Sequence, residues 1–275
     1  MTRYTRRTRR TLQVTGVGVA ALLALSACSS GSDSSSKKDS SSASKDSAKK
    51  VTGTVTVFAA ASLKESFTTL GKDFEKAHPG TKVTFSFGGS DTLAASITGG
   101  APADVFAAAS PKTMAIVTDK KDAATAPSTF VRNQLKIATL PGNPDKVASL
   151  KDLTKSGLKV VLCDKTVPCG AAAQKALDAS KLKLTPASYE QDVKSALTKV
   201  ELKEADAAVV YKTDVKAAGG KVDGVEFPES ANAINDYPIA LLKDAPNAAA
   251  AKEFIALVQS AEGQKVLTAA GFLKP

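Results

Sequence analysis

An apolar strand pattern that runs directly into a serine, with a helix pattern starting just after it, occurs twice within forty residues. Val55 and Val57 lead through Ser62 into apolar residues Leu63, Phe67, Leu70 and Phe74, spaced i, i+4, i+7, i+11 as on one face of a helix. His78-Pro79-Gly80 stops that helix. Val83, Phe85 and Phe87 then alternate as a half-buried strand and lead through Ser90 into a second helix over Asp91 to Ile97. A hydroxyl beside the free N–H groups of a helix N-terminus suits an anion. Taken singly, a serine there is more often a plain N-cap.

The alternation continues along the chain. Asp104 to Ala109, Leu135 to Leu140, Leu158 to Leu162 and Ala207 to Tyr211 read as strands, and Ile239, Leu241 and Leu242 as another. Gly170 is expected to open an alanine-rich helix, Val193, Leu197 and Val200 mark a further one, and Ala251, Phe254, Ile255 and Val258 a C-terminal one. Repeated strand and helix argue for an α/β fold with mixed, mostly parallel sheets flanked by helices.

The first fifty residues do not share this pattern. Arg3, Arg6, Arg7, Arg9 and Arg10 precede an apolar stretch from Val14 to Leu25, as in a secretory signal over residues 1–27. The stretch is too short for a membrane span. Leu25-Ser-Ala-Cys28 resembles the lipobox of bacterial lipoproteins, which implies cleavage before Cys28 and lipid on that residue. Thr8-Arg-Arg-Thr-Leu12 loosely resembles a twin-arginine signal, and the export route stays open. Residues 29–50 hold eleven serines among Lys and Asp, so they lack the apolar surface that would offset their ordering entropy. Residues 28–50 read as a lipidated cysteine and a tether with a reach of roughly 25 Å.

Residues 51–275 keep 27 basic against 24 acidic residues, a net of +3, with no basic cluster and no Trp, which disfavours a nucleic-acid partner. Cys163 and Cys169, six apart in an exported chain, suggest a disulfide closing a short loop, with free buried thiols as the alternative. Zinc is disfavoured because the only histidine, His78, reads as a loop residue. An enzyme is disfavoured too: Ser62 and Ser90 are the candidate nucleophiles, but His78 is a poor base and no Gly-x-Ser-x-Gly elbow occurs, although a Ser–Lys arrangement stays open. A surface adhesion or scaffold lipoprotein is the remaining class.

Six pieces, in order, carry a resemblance across residues 55–275: Phe58-Ala-Ala-Ala-Ser-Leu63, Phe87-Gly-Gly-Ser-Asp-Thr-Leu93, Gly100-Ala-Pro-Ala-Asp-Val-Phe106, Val167-Pro-Cys-Gly170, Glu204-Ala-Asp-Ala-Ala-Val-Val-Tyr211 and Tyr237-Pro-Ile-Ala240. The chain resembles the periplasmic molybdate-binding proteins of ABC transporters, here in lipoprotein form. The resemblance implies a type II periplasmic-binding-protein fold of two lobes with two hinge crossings, placed near Phe130 to Leu135 and Asp236 to Ile239. Lobe 1 would combine residues 51–133 with 237–275, and lobe 2 would be 134–236. A tetrahedral dianion would sit between the lobes and be buried as they close.

Carried over position by position, the resemblance implies that Ser62, Ser90, Cys169, Val193 and Tyr211 hold molybdate, and tungstate alike, through its oxygens. No side chain would ligate the metal and no cofactor would be needed. Cys169 and Val193 would act through backbone N–H groups at helix starts, and Tyr211 through its phenol. Cys169 stands where the family more usually has alanine. The implied partners are the oxyanion, an ABC permease with its ATPase, and the membrane through Cys28, for a monomer held outside the cytoplasm. Phosphate, phosphonate or sulfate are the alternative ligands. Asp91 bears on that choice: in the cleft it would repel a dianion but could accept a proton from hydrogen phosphate, whereas in the first turn of its helix it is expected to face solvent.

Overall fold

The computed structural model describes residues 51–275. The expected signal segment, Cys28 and the serine-rich tether lie outside the described residues. Two five-stranded sheets organise the rest. The first begins with β1 (Gly53–Ala60), which a short 3-10 turn (Ala61–Leu63) joins to α1 (Lys64–Ala77), and continues with β2 (Thr81–Gly88), α2 (Ser90–Thr98), β3 (Val105–Ala107), α3 (Pro111–Asp119) and β4 (Ser128–Asn133). The chain then passes through Gln134 into the second sheet. Its elements are β5 (Leu135–Thr139), β6 (Val160–Cys163), α4 (Pro168–Ala179), β7 (Ser188–Glu190), α5 (Val193–Glu201), β8 (Ala207–Tyr211), α6 (Lys212–Ala217) and β9 (Asp223–Val225). It returns to the first sheet as β10 (Asn235–Leu241) and ends in α7 (Ala248–Gln259) and α8 (Ala261–Ala270).

The strand orders are β2-β1-β3-β10-β4 and β7-β6-β8-β5-β9. In the first, β1 is parallel to β2 and β3, while β10 lies antiparallel between β3 and β4. In the second, β6 is parallel to β7 and β8, while β5 lies antiparallel between β8 and β9. Each sheet therefore has four strands running one way and one reversed strand, in the same fourth position. Helices cover both faces of the parallel strands, so Val55, Val57 and Ala59 are as buried as Phe58 on the opposite face. The helical face read from Leu63, Phe67, Leu70 and Phe74 is fully buried. Phe254 of α7 meets Phe67 and Phe74 edge-on, with ring centroids 6.0 and 5.6 Å apart.

Several local expectations change. Pro168, not Gly170, opens α4, because proline at the first helical position loses no hydrogen bond there. Gly170 is instead required for packing: a Cβ on it would lie 1.9 Å from the Asp164 carbonyl oxygen. The expected C-terminal helix is two helices, broken at Ser260, whose side chain caps α8 by accepting from Gly263 N–H. The residue 236/237 boundary falls inside β10, where Asn235 pairs with Asn133 in the first sheet.

Candidate functional site

Parallel strands carry the N-termini of their following helices to one edge of the sheet, outside the carboxyl ends of the strands. The two sheets bring those edges face to face. Ser62 follows β1 and Ser90 follows β2 on one side. Cys169 follows β6, Val193 follows β7 and Tyr211 ends β8 on the other. All five line a single cavity, together with Gly89, Ala109 and Asp192 among others. The cavity is small, with about 20 Å³ open to the centre of a water-sized sphere, which suits one compact ion.

Neither serine is an N-cap. Ser62 lies in the 3-10 turn, 4 % exposed, with its Oγ 2.8 Å from Tyr237 Oη. Ser90 is the first residue of α2, after the cap Gly89, and its Oγ accepts from Ala109 N–H at 3.0 Å. Cys169 sits in the first turn of α4 with its sulfur bonded to Cys163, the Cα atoms 5.8 Å apart, so its backbone N–H is what it can offer. Asp192 caps α5 by accepting from Lys194 N–H (2.8 Å) and Ser195 N–H (3.0 Å), and leaves Val193 N–H uncapped. Tyr211 is fully buried, with its Oη accepting from Asn235 Nδ2 at 2.8 Å.

Among the described residues, no Lys, Arg or His side chain lines this cavity. Positive potential comes instead from helix N-termini. The 3-10 turn, α2 and α4 point at the cavity without a side-chain cap, whereas α5, which also starts there, is capped by Asp192 at Lys194 and Ser195 N–H. Orphan N–H groups of a helix start normally find a side chain or solvent. Here they are left for a ligand. Burial pushes the Tyr211 and Tyr237 phenols well above the ordinary range, so both keep their protons as donors.

Asp91 does not line the cavity, but neither does it simply face solvent as expected from its place in the helix. It is half-buried, and its Oδ1 is out of solvent with no partner, beside Gly89 and the Gln191 carbonyl. The facing lobe covers the first turn of α2, which the residue's own helix could not foretell. His78 packs at a tilt on Phe74 at the end of α1, centroids 4.4 Å apart, and does not line the cavity. Sequence reading assigned no role to Asn133, Asn235 or Tyr237. Their signal was weak: Asn133 ends β4 beside Arg132 and Asn235 opens β10 beside Asp236, so neither stands out as a polar residue in an apolar run.

Residues 55–273 match the family model described as bacterial extracellular solute-binding protein. The chain belongs to that family. Membership places it outside the cytoplasm and makes it a solute-binding transport component. It is 43% identical over 221 residues to the molybdate-binding protein ModA of Mycobacterium tuberculosis, covering 80% of this chain and 85% of that one. The resemblance drawn from the six sequence pieces is thereby borne out. Among solved structures, the periplasmic molybdate-binding protein of Azotobacter vinelandii superposes with a TM-score of 0.71 at 22% identity, over 80% of this chain and 99% of that one. The sulfate-binding protein SubI of Mycobacterium tuberculosis gives 0.68 at 17% identity, over 80% and 86%. Two proteins named for different anions fit almost equally well, so the backbone alone does not choose the ion. Both agree with a two-lobed α/β fold.

Proposed function

We propose that this protein captures molybdate, and tungstate with it, between its two lobes and delivers it to an ABC permease and its ATPase. The observation that carries this reading is the convergence of Ser62, Ser90, Cys169, Val193 and Tyr211 on one small cavity with uncapped helix starts and no cationic side chain. Each hydrogen bond to a charged group contributes roughly 1.5–3 kcal/mol, and several together offset the desolvation of a dianion. Without a fixed cation the ion can also leave. The lobes, built on the two sheets with the crossings at Gln134 and just before Asn235, close by bending at those two connections. Lipid on Cys28 and the following tether would hold this monomer at the outer face of the cell membrane.

Calorimetry with molybdate, tungstate, sulfate and phosphate tests the assignment. Molybdate and tungstate should bind more tightly than the other two. Equal or tighter binding of sulfate or phosphate would overturn it. A receptor for a proton-bearing anion is the second reading, motivated by the buried, unpartnered Oδ1 of Asp91 near the cleft. Asp91→Asn should leave molybdate binding intact, whereas on that second reading phosphate binding would collapse.

A further inference from the structure

Behind the cavity lie three buried side chains that do not line it: Tyr237 and Asn235 touch the hydroxyls of Ser62 and Tyr211, which do, and Asn133 touches Tyr237. Each amide has its orientation set by a neighbour of single polarity. Asn133 Oδ1 accepts from Gln134 N–H at 3.0 Å, so Nδ2 is the donor to Thr213 Oγ1 (2.8 Å) and Tyr237 Oη (3.3 Å). Asn235 Nδ2 lies 2.9 Å from the Ala109 carbonyl and 3.4 Å from the Pro168 carbonyl, which can only accept. Its 2.8 Å contact with Tyr211 Oη is therefore donated as well.

A hydroxyl has one proton to give. Tyr237 Oη, receiving from Asn133, keeps its proton for Ser62 Oγ, and Ser62, receiving in turn, has its own proton left for the cavity. Ala109 N–H sets Ser90 in the same sense, and Asn235 sets Tyr211. Tyr237 Oη is the other acceptor near the Tyr211 proton, but a charged oxygen is the stronger one.

We infer that Asn133, Asn235 and Tyr237 are positioning residues that hold the cavity's hydroxyls as donors, so that the site takes oxyanions carrying no proton. This rests on the oxyanion reading and narrows it to ions fully deprotonated near neutral pH. The carboxylate that lines the cavity, Asp192, has both oxygens engaged by Lys194 N–H, Ser195 N–H and Ser195 Oγ, so a proton on the ligand would meet hydroxyls held as donors, and a buried donor without an acceptor is costly.

The test is displacement of molybdate from the full-length protein by sulfate and by hydrogen phosphate at mildly alkaline pH. Both competitors are then dianions of similar size, and only one carries a proton. Wild type should admit sulfate in preference to hydrogen phosphate. Asn133→Asp offers Tyr237 an acceptor and turns the relay round, leaving a Ser62 lone pair toward the cavity. Tyr237→Phe frees Ser62 to turn either way. In each variant the preference for sulfate should fall by about tenfold or more, the worth of one such hydrogen bond. Added charge alone cannot do this, because it acts equally on two dianions. If Asn133→Asp does not fold, Tyr237→Phe decides. An unchanged preference in the folded variants, or a wild type that takes hydrogen phosphate as readily as sulfate, overturns the relay and leaves molybdate capture standing. A wild type that does not bind molybdate, but binds sulfate directly over hydrogen phosphate, overturns molybdate capture and leaves the relay. Binding of none of the three overturns both.

Discussion

Gly89 packs against Gln191 and Val167 of the opposite lobe, and what matters there is the missing side chain. Its φ of −60° is open to any residue, so the backbone does not demand glycine. A Cβ would lie 2.6 Å from the Gln191 carbonyl oxygen and 2.8 Å from Asp91 Oδ1. The carbonyl belongs to the segment that positions Val193 N–H and cannot retreat without moving that donor. Gly89→Ala should therefore leave each lobe folded but hold the pair apart, at about 1–3 kcal/mol for the overpacking. The expected readout is an unliganded melting temperature close to wild type and a much smaller rise on adding molybdate. A full ligand-induced rise would mean that this contact does not limit closure. Ser90→Ala removes a donor rather than adding bulk. It should weaken molybdate binding by about 1–3 kcal/mol in calorimetry, and unchanged affinity would place the site elsewhere.

At the scale of elements, what could be read from the sequence follows from periodicity. The face of α1 and the strands leading to Ser62, Ser90 and Tyr211 are long or apolar enough to show themselves, and so the donors beyond or at their ends were legible. The strands β7 and β9 have three residues each, with Tyr189 of β7 43 % exposed, and α6 has six, too few for any period. The relay was hidden for another reason: Ser62 and Tyr237 are 175 residues apart, and only the return of β10 to the first sheet joins them. The start of α4 lies between these cases, since Val167 to Gly170 was singled out but its opening residue was misplaced by two. The Cys163–Cys169 bond ties the end of β6 to that first turn. Opening a loop this short should cost about 2 kcal/mol of stability by loop-closure entropy. It should also weaken molybdate binding, because Cys169 N–H moves with the turn. Denaturant titrations with and without reductant would measure the first effect, and identical midpoints would show that the bond constrains nothing.

For the molecule as a whole, Lys194 is the residue that links the lobes by charge. Its Nζ lies 2.9 Å from Glu65 Oε2 on α1 and 3.2 Å from Asp214 Oδ1 on α6, and among the described residues no other ion pair joins the helices of the two sheets. Burial works against the Lys194 charge, but Asp214 and Glu65 together hold its pKa above the ordinary lysine value. Glu65 is half exposed, so its pair contributes no more than about 1 kcal/mol. Glu65→Gln should loosen molybdate by up to about fivefold, an effect that fades in high salt. Asp214 is different because it is fully buried, and burial, only partly countered by Lys194 and by Tyr211 N–H, pushes its pKa from 3.8 up to about 6. The folded protein thus binds this proton more tightly than the unfolded chain does. The stability it contributes is complete below pH 3.8 and is lost as pH rises through about 6, a change of roughly 3 kcal/mol. Urea titrations of wild type and Asp214→Asn across that range would isolate the contribution as a difference. Wild type should lose ground to the variant between those two values and run parallel to it on either side. A difference that stays flat throughout would show that Asp214 titrates as an ordinary carboxylate, its burial fully offset by Lys194 and Tyr211 N–H.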